Sequence, residues 1–406
     1  MHFRFVELFK VNYSNYLGFM VNALKVILNL SIVLLVFSCA SQTNQVAGYF
    51  NLDSYSNFSA TIRESKIAED SEQRHSQKRD DADKYRVVYN GTKGIGKGKN
   101  IVFISTDHEY RGEETLPALA RILASRYGFT CTVIWALDDE GNIYPGSSDI
   151  KGLEVLKNAD LMVIFTRFAN FSDEQMQHID DYIRRGGGVV GLRTATHAFR
   201  NKDNVNWEHY DYRYEGSKEE WHGGFGELIL GETWVGHYGK NHEQASLVLV
   251  EEENKEHPIM RGVKDAWAQC GGYNAYPQGE NLKILARGRV LNGMTPDAEP
   301  DNTKEELPVA WVRDYQLESG ATGRAFTTTH GASEDILSDG FRRMLVNACF
   351  WGLKMEDHIK SENNIEFVGE YKPTTFNFSG YKANVKPSDL AGWKSVIMPG
   401  EIFKKQ

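Results

Sequence analysis

The stretch from Arg184 to Phe199, Arg-Arg-Gly-Gly-Gly-Val-Val-Gly-Leu-Arg-Thr-Ala-Thr-His-Ala-Phe, restricts most tightly what this chain can fold into. An amphipathic run over Asp173–Arg185 stops at Gly186–Gly188, where glycine can take the left-handed conformation that closes a helix. The apolar residues Val189-Val190-Gly191-Leu192 follow, and then a polar turn rich in threonine and alanine. Helix, glycine stop, buried strand and polar exit form one unit of a parallel α/β sheet. Ligands of such sheets sit beyond the carboxyl ends of the strands. A site is therefore expected at Arg193, Thr194, Thr196 and His197.

The same alternation runs along the body of the chain. A strand at Ile101–Ile104 leads to a helix over Glu113–Tyr127 closed by Gly128; strands at Thr130–Ala136 and Leu161–Phe165 bracket a short helix at Leu153–Asn158. Later strands are expected at Leu247–Val250, Leu282–Ala286, Val309–Val312 and Arg324–Thr328, and a last amphipathic helix at Ser338–Trp351. This order indicates an α/β fold with a doubly wound, mostly parallel sheet. Gly94, Gly96 and Gly98 stand before the first strand, whereas a dinucleotide fingerprint follows one, so a nucleotide loop is rejected. The long irregular insertion from Phe199 to Gly224, rich in Tyr, Trp and His, is of a kind that is usually functional.

Composition narrows the classes. A net charge of -9 over 406 residues leaves no basic footprint for nucleic acid. Lys25, the apolar run Val26–Phe37 and Ser38-Cys39-Ala40-Ser41 read as a secretory signal, with Met20 as an alternative start. A Cys directly after the cut resembles a bacterial lipoprotein signal, which implies cleavage before Cys39, lipidation of Cys39 and a membrane-anchored protein of the cell envelope, on its periplasmic or outer-membrane face. The alternative is an ordinary signal or membrane anchor. Residues 40–99 read as a polar tether, 100–355 as the folded domain and 356–406 as a tail packing on it. The remaining cysteines, Cys131, Cys270 and Cys349, are widely spaced and suggest no disulfide framework.

Several segments together resemble one family: Asp107-His108-Glu109-Tyr110-Arg111-Gly112, the Gly186–Leu192 strand unit, Gly231–His237, His257-Pro258-Ile259, Pro308-Val309-Ala310-Trp311 and Gly323–Thr329. In order and spacing they resemble the trehalose-utilisation (ThuA-like) family, whose fold is similar to class I glutamine amidotransferases and flavodoxin-like proteins. The resemblance implies a role in sugar utilisation, close to the chemistry of keto-sugars. Amidotransferases carry a nucleophilic Cys in the turn after the strand at Val189–Leu192; this chain has Arg193 there, which excludes glutaminase chemistry by a Cys-His pair. Many ThuA-like proteins have His at the position of Arg193, and the commoner pattern places a His after Gly331 rather than before it, at His330.

Five of the 12 histidines fall between residues 197 and 242. Histidine is both the usual base near neutral pH and a common metal ligand. His108, His197, Arg193 and His330 are the candidate catalytic residues, and Asp107, Glu109 and Thr194 are candidates for binding sugar hydroxyls. Arg167, like Arg193 just past a strand, is a candidate for clamping a carboxylate or polarising a carbonyl of the substrate, with a rim salt bridge as the alternative. Trp207, Tyr210 and Trp221 are candidates for stacking on a sugar, with loop core as the alternative. His222, His237 and His242 are the candidate ligands of a divalent metal such as zinc. For each histidine the plainer reading is a hydrogen-bonded structural role, and for Asp107 and Glu109 it is capping of the helix that follows. Two functions remain open on these residues: a carbohydrate-active hydrolase, lyase or isomerase, and a non-catalytic glycan-binding lipoprotein on the same scaffold.

Overall fold

The computed structural model describes residues 84–397 apart from 202, 203, 319 and 379. The expected signal segment, Cys39 and most of the tether lie outside the described residues. Five strands form the parallel centre of the fold: β2 (Asn100–Thr106), β3 (Thr130–Trp135), β4 (Leu161–Thr166), β5 (Gly188–Leu192) and β12 (Thr322–Thr328). They lie in the order β3-β2-β4-β5-β12. Period-two geometry splits their side chains between two cores. Ile101 and Phe103 of β2 pack with helix α1 (Gly112–Tyr127) and helix α3 (Asp339–Gly352). Val102 and Ile104 pack with helix α2 (Asp173–Arg184) on the opposite face. Helices on both faces explain why β2, β4 and β5 are near-continuous apolar runs rather than alternating ones. The order is the flavodoxin-like one, and it reverses between β2 and β4, which is where such sheets open a crevice at their carboxyl ends.

The helix ends follow their local chemistry. The Ser172 hydroxyl accepts the N–H of Gln175 at the start of α2, and Gly186 takes a left-handed φ of 74° just beyond its end. Leu153–Asn158 is a 3-10 helix.

Antiparallel strands extend both edges. Beyond β12 come β11 (Leu307–Gln316), β10 (Lys283–Val290), β7 (Ser246–Val250) and β8 (Trp267–Ala268). At the other edge β1 (Arg86–Asn90) pairs with β3, inside the stretch that composition reads as tether. Its signal is only Val87 and Tyr89 turned inward, with Arg86, Val88 and Asn90 on the other side. The glycines after it serve close backbone approach: a Cβ on Gly94, at φ +135°, would lie 2.2 Å from the carbonyl oxygen of Tyr127. The two-residue strands β6 (His237–Tyr238) and β9 (Gly272–Tyr273) pair apart from the main sheet. After α3 the chain runs back across the domain, where Leu390 O accepts hydrogen bonds from Tyr89 and Arg121.

Candidate functional site

Four strand ends converge. After β2, the carboxylate of Asp107 accepts the backbone N–H groups of Glu109 (3.3 Å) and Tyr110 (2.5 Å), so it folds the turn that presents its neighbours. Glu109 pairs with Arg167, which follows β4, at 2.6 Å, both almost fully buried. The next residue, Phe168, has a left-handed φ of 46°, and its N–H bonds to the carbonyl of His197 at 2.9 Å. That bond ties the exit of β4 to the turn after β5.

Arg193 opens the turn after β5 with a φ of 47°, a strained conformation for a non-glycine residue. Its guanidinium is fully buried between the rings of Tyr110 (4.1 Å) and Tyr273 (4.2 Å). Nη1 donates to the carbonyl oxygens of Gly271 and Thr329, while Nε and Nη2 meet no partner among the described residues. His197 is buried, with Nδ1 3.3 Å from the Thr196 hydroxyl and its ring against Phe168 (4.9 Å), Trp234 (5.0 Å) and Tyr273 (5.8 Å). His237 comes from β6 and rests on Trp234 and Tyr273. Its Nε2 lies 3.1 Å from the hydroxyl of Tyr110, which accepts from Asn241 and so has its proton free for the imidazole.

These surroundings keep the imidazoles neutral. Burial, reinforced by Arg167 and Arg193, holds His197 well below the usual histidine range. Desolvation and the same two guanidiniums bring His237 down to about 4. His108, half-buried beside them, is lowered by desolvation, with Asp107 opposing and Arg167 and Arg111 adding to the shift. His237 is therefore expected to keep the ring ¹⁵N shifts of a neutral imidazole at about pH 5.5, where a histidine of ordinary pKa, about 6.5, is mostly protonated. A titration midpoint near the ordinary value would show that neither burial nor the two arginines act on this ring.

Buried polar atoms without partners also gather here. The hydroxyls of Thr106, Thr166, Thr194 and Thr329 stand at the ends of β2, β4, β5 and β12, and they, Asp107 Oδ1, Tyr273 Oη and Trp234 Nε1 have no partner among the described residues. Buried polar groups are nearly always paired, so this concentration marks where a polar ligand or ordered water completes the structure.

The remaining candidates are placed differently. His330 lies deeper, with Nδ1 3.4 Å from Cys270 Sγ. Burial brings it down to about 3 and pushes the Cys270 thiol well up. That thiol donates to Asp335 (2.9 Å), whose carboxylate also accepts the N–H groups of Gln269, Gly331 and Ala332. Cys270, His330 and Asp335 are the one group among the described residues close enough to share a metal ion. The Asp335 oxygens are already used by backbone donors, and the charge of Arg193 acts on all three side chains. His222, His237 and His242 do not gather: His222 meets Gly216 O and Glu215 on the insertion, and His242 stacks on Phe376 at 4.4 Å. Trp207, Tyr210 and Trp221 pack around His209, with Tyr210 donating to Asp180, so they form the insertion's own core. The aromatic walls of the site are instead Tyr110, Phe168, Trp234 and Tyr273. Tyr110 and Trp234 lie in the segments that carry the family resemblance, and Phe168 directly follows a strand end. Tyr273 had no signal beyond its residue type.

Comparison with known proteins places this geometry. Residues 100–352 match the family model for ThuA, described as trehalose utilisation. The chain belongs to the ThuA family. The ThuA segment holds every parallel strand and every site residue from Asp107 to His330, whereas β1 and the tail lie outside it. Similar solved structures include a ThuA-like protein from Bacteroides uniformis ATCC 8492, 16% identical, covering 65% of this chain and 95% of that one at a TM-score of 0.38. Another is a ThuA-like protein from Parabacteroides merdae ATCC 43184, 17% identical, covering 70% and 98% at a TM-score of 0.38. No curated protein matches the chain.

Proposed function

We propose that this ThuA-family protein acts on a sugar or keto-sugar by moving a proton at a carbon next to a carbonyl. The observation that carries this reading is that His197 and His237 share the walls Trp234 and Tyr273, with the guanidinium of Arg193 on the Tyr273 ring and that of Arg167 on Phe168. Burial and those charges hold both imidazoles below the usual range. Neutral histidine removes the proton, and the electron pair left behind moves onto the carbonyl oxygen as an enediolate. The free Nε and Nη2 edge of Arg193 offers two parallel donors to that oxygen and its neighbour. Return of the proton to the adjacent carbon completes an isomerisation; loss of a group from the next carbon completes an elimination. The imidazolium formed on the base by the first transfer is the acid for the departing oxygen. Phe168 and Trp234 suit the apolar face of a sugar ring, and Glu109 and the strand-end threonines suit its hydroxyls. The Lys25–Cys39 signal supports placing the protein on the cell envelope through a lipid anchor.

The test incubates the full chain in D₂O with a panel of sugars and 3-keto-sugars, with proton NMR following deuterium entry beside the carbonyl. Protein-dependent exchange in a keto-sugar is the expected result. Binding without exchange would leave the non-catalytic glycan-binding function, and neither binding nor exchange would sink the carbohydrate reading.

A further inference from the structure

A chain of hydrogen bonds with a fixed direction ends on His237. The backbone N–H of Gly271 donates to Asn241 Oδ1 at 3.2 Å. A peptide N–H can only donate, so this bond decides which end of the amide is the oxygen and leaves the NH₂ at the other. Asn241 Nδ2 then donates to the Tyr110 hydroxyl at 2.9 Å. The hydroxyl oxygen accepts in that bond, and its proton turns to His237 Nε2, 3.1 Å away. A neutral imidazole carries one ring proton, and a nitrogen that accepts a hydrogen bond is not the one that holds it. The proton of His237 therefore sits on Nδ1, which meets no partner among the described residues and belongs to an exposed side chain.

Tyr110 suits this task rather than contact with a ligand. It is fully buried, its ring packs against the Arg193 guanidinium at 4.1 Å and Phe376 at 5.2 Å, and its backbone N–H is held by Asp107. Burial raises the pKa of the phenol well above its ordinary value, so it keeps its proton. At His197 the same accounting ends the other way. The Thr196 hydroxyl donates to Arg193 O at 3.4 Å and accepts from His197 Nδ1 at 3.3 Å, which leaves the bare nitrogen at Nε2.

We infer that Tyr110 is a positioning residue that locks His237 in the Nδ1–H tautomer, so that His237 presents a hydrogen-bond donor to an oxygen of the ligand while His197 presents the lone pair that takes a proton. The tautomer follows from the hydrogen bonds alone; the use made of it rests on the proton-transfer reading above. In that reaction no proton leaves His237, which steadies the oxygen that gathers charge, and Tyr110 acts only through it.

The test records long-range ¹H–¹⁵N correlation spectra of the full chain, labelled at histidine, in wild type and in Asn241→Asp. In the variant one carboxylate oxygen keeps the Gly271 N–H and the other takes the Tyr110 proton, so the hydroxyl must accept from His237 and the ring proton moves to Nε2. The expected result is Nδ1–H in the wild type and Nε2–H in Asn241→Asp, with kcat for exchange in a keto-sugar about 10²-fold lower in the variant and KM within a few-fold. Tyr110→Phe is expected to lose the single tautomer and show a mixture, and thermal melting checks the fold of each variant. Wild-type His237 found as Nε2–H, or a tautomer that Asn241→Asp does not move, would overturn the inference and leave the carbohydrate reading intact. A flipped tautomer with exchange unchanged would overturn the donor role. A wild type that exchanges no keto-sugar overturns the reaction instead, and the spectra still decide the tautomer.

Discussion

Arg193→Met is expected to leave the melting temperature unchanged or raised while cutting proton exchange in the keto-sugar about 10²- to 10³-fold, the usual effect of removing a donor aimed at a developing oxyanion. The guanidinium is wholly buried, and no carboxylate among the described residues forms an ion pair with it. Its hydrogen bonds go to two neutral carbonyl oxygens, and its other two nitrogens have no hydrogen-bond partner among the described residues. Burying a charge on these terms costs stability, and a neutral side chain of similar length removes that cost. Methionine still fills the slot between Tyr110 and Tyr273, where thioether–aromatic contacts are favourable. It also inherits the same left-handed φ, so backbone strain is common to both proteins and drops out of the comparison. The opposing terms are the loss of a donor to Gly271 O and Thr329 O, about 1 kcal/mol for each, and of the cation–π contacts with Tyr110 and Tyr273. A scanning-calorimetry melt beside the D₂O exchange assay decides the matter. A sharp fall in melting temperature with exchange retained would make Arg193 a structural brace between β5 and β12 and remove it from the chemistry.

Local rules made the parallel core legible. The apolar runs at Ile101, Leu161 and Val189 and the glycine stops at Gly128 and Gly186 each place one strand or helix end without outside information. The rule that ligands sit at the carboxyl ends of parallel strands then selects His108, Arg167, Arg193 and His197, which the fold brings together. What sequence could not supply is which distant segments close over those ends. Trp234 and Tyr273 arrive on loops joined by two short strands and a few hydrogen bonds beside them, and Phe378, whose ring lies over Arg167, arrives from a tail whose composition reads as surface wrapping. Residue type misleads in the same way. Trp207, Tyr210 and Trp221 look like sugar platforms, but the insertion is long enough to bury them against His209. The run of histidines from 197 to 242 is dense in sequence and scattered in space: His197 and His237 share the walls Trp234 and Tyr273, while His209, His222 and His242 face other partners. β1 is missed because an edge strand needs only one apolar face, and two inward residues do not raise the hydrophobicity of a polar stretch.

His197→Ala is expected to lower kcat for proton exchange about 10²- to 10⁴-fold, the range for removing a positioned base, with keto-sugar affinity changed no more than a few-fold. The asymmetry follows from its setting. His197 packs among Phe168 and Trp234, and on the proposed reading those rings, rather than the imidazole, supply most of the contact surface for a bound sugar. Its own contribution comes when a proton moves, so its loss belongs to kcat rather than KM. The pH profile separates this role from packing. Burial and the nearby guanidiniums hold the folded-state pKa of His197 below the unfolded value of about 6.5. The base therefore stays deprotonated as pH falls through that value, and the acid limb of kcat/KM in the wild type lies well below it. The same shift has a stability consequence of definite sign. As pH falls below about 6.5 the unfolded chain binds a proton that folded His197 refuses, so this residue contributes a loss of stability on acidification, and the alanine variant lacks that contribution. A variant that loses exchange with affinity kept, and whose stability falls less steeply toward acid than that of the wild type, meets both expectations. Exchange that persists in His197→Ala and disappears in His237→Ala would transfer the base to the residue bonded to Tyr110.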